Sequence, residues 1–145
     1  MTTERLHFFL FWILSFIFVS LIDALWHFVI FRKSYKEGMK PVARMKGERM
    51  SPRFGASLLA QVLVVTCLVF LVGLGSLSEN AGVAVFVGAL AGILAISVYG
   101  ITNFALLKDW SLKVTVLEVI WGPILGGLGG YFIFWARTWL SIGPR

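Results

Sequence analysis

Four long apolar runs take up most of the chain, and short polar crossings separate them. The runs are Leu6–Phe31, Phe54–Leu77, Ala81–Leu107 and Leu112–Leu140. Each is long enough to cross a bilayer as a helix, which takes about 20 residues at 1.5 Å per residue. The polar positions inside the runs are sparse and fall at helical spacings. Asp23 and His27 are four apart, as are Tyr99 and Asn103, and Thr115, Glu118 and Trp121 follow one another at intervals of three. The pattern predicts an all-α fold, a four-helix transmembrane bundle, as a single membrane domain over residues 1–145.

The crossings carry their own signals. In the first, residues 32–53, Ser34 and Glu37 stand at capping-box spacing, so a short surface helix is expected to start at Ser34. Tyr35, Met39, Val42 and Met45 would form its apolar edge, and Pro41 would break it. Ser76–Gly82 reads as a tight turn, and residues 108–113 as a short polar crossing.

Composition agrees with the pattern. The chain of 145 residues is 59% hydrophobic and 14% charged, whereas soluble domains run near one half and one quarter. The first run is about 26 residues long with Asp23 and His27 inside it, unlike the short apolar region of a cleavable signal, and reads as a retained helix. The net charge of +6 would point to nucleic acid in a soluble protein; here its placement points to orientation instead, and no nucleic-acid partner is expected. Loop 32–53 carries Arg32, Lys33, Lys36, Lys40, Arg44, Lys46, Arg49 and Arg53, and loop 108–113 carries Lys108 and Lys113. Only Arg5, Arg137 and Arg145 fall on the opposite side. The positive-inside rule then places both basic loops in the cytoplasm and both termini outside. The bilayer is the expected partner, with anionic lipid headgroups at loop 32–53 worth about 1 kcal/mol per cation.

Close packing is expected where small residues repeat. Gly88 and Gly92 form one GxxxG in the third run, and Gly122, Gly126 and Gly130 form a double one in the fourth. Such faces let backbones approach where lipid gives no hydrophobic drive for association. They suit either a homodimer or docking to a larger membrane complex. Pro123 removes one backbone donor and frees the carbonyl of Val119, so a kink is expected there.

Counting from the basic ends of the runs, Asp23, His27, Gln61, Tyr99, Asn103 and Glu118 all fall within about 6–12 Å of one membrane face. They form a polar layer to which all four helices contribute. A charge inside a membrane helix costs roughly 3 kcal/mol on insertion scales, so the layer must be partnered or wetted. It is open to several readings: a hydrogen-bonded packing network; a site for a proton, a cation or a small polar headgroup; a metal site of Asp23, His27 and Glu118; or a haem or pigment ligand at His27. The single Cys67 excludes an internal disulfide and a multi-cysteine metal site. No catalytic signature is present, and no cofactor is specified. The runs Asp23–Trp26 (D-A-L-W) and Glu118–Trp121 (E-V-I-W) look alike on helices that run antiparallel.

These residues also carry a resemblance. Ile22-Asp23-Ala24-Leu25-Trp26, Tyr35 and Gly38, the segment from Tyr99 through Asn103 to Lys108-Asp109-Trp110, and Val114-Thr115 through Glu118 to Trp121-Gly122 follow one pattern. It resembles the family of small bacterial membrane proteins called domain of unknown function 2177. That family shows D-L-x-W in the first helix, then Y-D-L-T-N-x-A-T-L-K-x-W, and V-T-x-x-D-x-x-W-G near the end. Gly100 stands where the pattern has Asp, and Glu118 replaces a second Asp. The resemblance implies four transmembrane helices in a bacterial inner membrane, and no activity. Three function classes remain: a proton-, ion- or small-ligand-binding bundle related to transport; an accessory subunit of a larger complex; and, last, a membrane enzyme using Asp23 or Glu118 on a lipid-borne substrate.

Overall fold

The computed structural model describes residues 3–47, 49–74 and 80–140. The turn expected at Ser76–Gly82 lies, up to Glu79, outside the described residues, as does Arg145. In chain order, α1 is α-helical over Thr3–Leu25 and ends in a π-helical turn, Trp26–Ile30; α2 is Arg32–Met39. A two-stranded antiparallel ribbon follows, β1 (Met45–Lys46) pairing Met45 with Met50 and Lys46 with Arg49 of β2 (Arg49–Met50). Then come α3 (Phe54–Leu68, π-helical over Val69–Leu74), α4 (Ala81–Gly92, a π-helical turn at Ile93–Ser97, then Val98–Leu106) and α5 (Leu112–Trp139). Among the described residues, four helices are long and apolar enough to cross a membrane: Arg5–Ile30, Phe54–Gly73, Ala81–Leu106 and Leu112–Trp139. The protein is an all-α four-helix membrane bundle with a small ribbon in its first loop.

Local chemistry sets the helix ends. Asn80 Oδ1 accepts from Val83 N at 3.0 Å and starts α4, and Ser111 Oγ accepts from Val114 N at 3.4 Å and starts α5. These side chains satisfy first-turn donors that have no helical partner. The capping box expected at Ser34 does not form. The chain leaves α1 through Phe31 alone, whose N–H bonds back to Trp26 O at 2.9 Å while Tyr35 N reaches Phe31 O at 3.0 Å. The helix is thus seeded by the one before it and begins at Arg32, two residues earlier than the serine would place it. It ends at Met39, just before Pro41.

The bundle is centred on α5, which touches all three other spanning helices and is the most buried of them. Its glycines explain why. A Cβ at Gly88 would strike the carbonyl oxygen of Gly126, one at Gly92 that of Gly122, one at Gly126 that of Gly88, and one at Gly130 that of Ala84. The α4–α5 backbones therefore lie in direct contact, held by dispersion over the whole stripe. The two glycine stripes thus pack against each other inside one chain.

Pro123 also finds its compensation across this contact. Ser97 Oγ donates to Val119 O at 3.1 Å, the carbonyl that proline leaves without a helical donor. At the opposite end, Arg137 Nη1 donates to Gly73 O at 3.2 Å, tying α5 to the π-helical end of α3. The main core (Phe11, Val19, Val65, Leu68, Val72 and Ile133 among others) fills the space between α1, α3 and α5. A second, smaller cluster of Tyr35, Trp110 and Val114 packs α2 against the start of α5. Gly38 makes that approach possible, since a Cβ there would sit 2.6 Å from Val114 Cγ2.

Candidate functional site

The smaller cluster closes one end of the bundle, and the acidic residues lie directly behind it. Asp23 and His27 project from the last turns of α1, and Glu118 and Trp121 from one face of α5. Trp121 Nε1 donates to Asp23 Oδ1 at 2.8 Å. His27 Nδ1 lies 2.9 Å from the backbone carbonyl of Asp23 and 3.3 Å from its Oδ1. A carbonyl oxygen can only accept, so Nδ1 carries a proton and Nε2 is the nitrogen turned to Glu118, 3.7 Å from Oε1. The imidazole thus lies between the two carboxylates. Glu118 is the more enclosed, its side chain 11% exposed against 27% for Asp23 and 24% for His27.

Three aromatic rings frame this group. Trp26 and Trp121 stack with centroids 4.3 Å apart and planes 8° from parallel. Tyr35 enters from α2 with its ring 4.4 Å from that of His27, and its hydroxyl accepts from Trp26 Nε1 at 3.2 Å. Burial first, and then the neighbouring charge of Glu118, push the Tyr35 phenol above its ordinary range, so it stays protonated beside the acid. The similar runs Asp23–Trp26 and Glu118–Trp121 form an unequal clasp. The tryptophan of the second run serves the acid of the first, whereas Trp26 serves Tyr35, which reaches the neighbourhood of Glu118 in turn.

The layer drawn from depth alone is divided by the structure. Asp23, His27 and Glu118 come together. Tyr99 does not join them: it is exposed on α4 and meets Trp110 edge-on at 6.0 Å. The reason is the π turn at Ile93–Ser97, which adds a residue to the helical progression. Counting regular turns from Gly88 and Gly92 puts Ile96 and Tyr99 on the α5 side, whereas Ser97 and Gly100 are the residues buried there. The amide nitrogens of Gln61 and Asn103 are buried without a hydrogen-bond partner among the described residues, as are Ser20 Oγ and Trp110 Nε1. Tyr35 and Trp121 are what depth counting missed. Trp121 carried a signal, its three-residue spacing from Glu118, but Tyr35 looked like part of an apolar edge.

Metal binding finds no three-ligand cluster of His, Cys, Asp or Glu among the described residues. Each imidazole nitrogen of His27 faces a different carboxylate, so the three groups do not converge on one point. The two departures from the family pattern face one another. A Cβ at Gly100 would be 2.7 Å from Glu118 Cβ, so the longer acid lies where a side chain at 100 would begin.

No curated protein and no solved structure matches the chain. A family model described as predicted membrane protein (DUF2177) matches residues 8–135, a span that includes both spanning helices of the site, α2 and the glycine stripes. The chain belongs to this family of membrane proteins of unknown function.

Proposed function

We propose that Asp23, His27 and Glu118 form a membrane-embedded site that takes up a proton or a small cation from the face on which the basic loops lie, in a bundle related to transport. The observation that carries this reading is the single imidazole between two carboxylates. With both acids ionised and His27 protonated, the group still holds one uncompensated negative charge inside a hydrophobic span, which is costly. With His27 neutral, the Nε2 lone pair would face Glu118, which is repulsive unless a proton resides on one of the two. Either state is relieved by one more positive charge. The 3.7 Å gap is ion-pair range but longer than a direct hydrogen bond, so a shift of less than about 1 Å would let a proton pass between Nε2 and Oε1. Trp121 fixes Asp23, and Tyr35 supplies a neutral donor beside Glu118.

The same reading takes the bacterial inner membrane that the family resemblance implies, with loops 32–53 and 108–113 cytoplasmic and both termini outside on the strength of the charge bias. Transport is tested in vesicles containing the purified protein and a trapped pH indicator. Under an imposed pH gradient, wild type is expected to dissipate it faster than empty vesicles. Glu118→Gln and Asp23→Asn are expected to fall to the empty-vesicle rate while retaining a cooperative thermal transition. Wild-type vesicles that behave as empty ones under proton and alkali-cation gradients alike would sink the transport reading.

A further inference from the structure

The outer side of the elbow between α1 and α2 forms a cleft of about 580 Å³. Val29 and Ile30 make its apolar wall, and both are largely exposed at the end of the first spanning helix. Arg32, Lys33, Lys36 and Lys40 line the remainder together with Glu37. Glu37 is engaged by Lys33 at 4.0 Å, and Arg32 and Lys36 add two further cations to the cleft. Arg32, Lys36 and Lys40 recur every four residues and so share one stripe of the helix. The inward-facing positions are spoken for: Tyr35 is buried, Gly38 abuts Val114, and Met39 packs on the same cluster. The cleft is thus backed by a docked helix, with an apolar wall on its membrane side and cations on its aqueous side.

We propose that this cleft is a binding site for one anionic phospholipid, its phosphate held by Arg32 and Lys36 and its first acyl carbons resting on Val29 and Ile30. A guanidinium and an ammonium on one stripe suit a phosphate oxyanion. The adjoining exposed aliphatic wall selects a headgroup that carries chains over a free phosphate ion. Anionic headgroups are the abundant source of such a ligand at a membrane surface. The remaining basic residues of the loop, among them Arg44 and Arg49 around the ribbon, lie outside the cleft and contribute only general charge.

The test is native mass spectrometry of the full chain in mild detergent, with phosphatidylglycerol or phosphatidylcholine of matched chains added. Wild type is expected to retain one phosphatidylglycerol and to prefer it over phosphatidylcholine. In Arg32→Gln/Lys36→Gln, retention should fall roughly thirtyfold, as expected for removing two headgroup contacts. Arg44→Gln/Arg49→Gln, which removes the same charge, should match wild type. Equal retention of the two lipids by wild type would overturn the site, and this comparison stands even if the cleft variant fails to fold. Equal loss in the ribbon variant would reduce the effect to bulk charge, and displacement of the lipid by inorganic phosphate alone would assign the cleft to a free anion; either overturns the proposal.

Discussion

At the residue scale, the tautomer of His27 follows from a single contact. Because its Nδ1 faces the Asp23 backbone carbonyl, the nitrogen left for Glu118 is fixed, and with it the direction in which a proton can move. Tyr35 is the other residue whose protonation is set by its surroundings, and its effect on stability can be given a sign. The folded chain binds the phenolic proton more tightly than the unfolded chain, whose phenols titrate at the ordinary value of 10.0. The stabilisation from the buried phenol is therefore complete below that pH and is lost as pH rises beyond it. Tyr35→Phe is expected to cost about 1 kcal/mol at neutral pH through the lost bond with Trp26. It should also flatten the decline in thermal midpoint above pH 10.0. Parallel alkaline declines in the two proteins would show that the phenol is not held as described. Gly100 belongs to this scale as well, since only the absence of its side chain leaves the Glu118 stem its place.

At the element scale, two departures from regular helix geometry decide which side chains meet. The π turn of α4 brings Ser97 and Gly100 to the α5 face, and Pro123 opens the carbonyl that Ser97 fills. This coupling is measurable in a double-mutant cycle. Ser97→Ala is expected to destabilise wild type by about 1 kcal/mol. In a Pro123→Ala background Val119 O regains its own helical donor, so the same change should cost less, with a coupling of about 0.5 kcal/mol or more. Strict additivity in thermal or denaturant unfolding would mean that serine and proline act independently. The same geometry explains what could be read in advance. Run length, glycine spacing and the proline were legible because each acts through local periodicity or backbone chemistry. Asp23, His27 and Glu118 were legible because charge is rare at membrane depth. Tyr99 was misassigned because a π turn leaves no compositional mark and moves the whole downstream face by one residue. Tyr35 was read only as an apolar edge because its role depends on α2 folding back on α5, and the Ser34 capping signal was overridden by continuity with α1.

At the scale of the whole molecule, one end of the bundle is built and the rest is scaffold. Glycine-stripe contact between α4 and α5 fixes the position of Glu118, α1 brings Asp23 and His27 alongside, and α2 covers the three with Tyr35 while turning its cations outward. In the orientation proposed from the charge bias, this end faces the cytoplasm. In a Cys67→Ser background, a membrane-impermeant thiol reagent applied to cells with opened outer envelopes should label Gly82→Cys and leave Lys46→Cys unlabelled until the membrane is breached. The reverse pattern would invert the topology. The central claim concerns the acids themselves, and infrared titration of the purified protein tests it most directly. The C=O stretch of a protonated carboxylic acid is followed as pH is varied in wild type, Glu118→Gln and His27→Gln. The account predicts that the titrating carboxyl band of wild type contains a component that Glu118→Gln removes and His27→Gln displaces along the pH axis. A pH-dependent band that both variants leave unchanged would contradict a proton-exchanging site at Glu118.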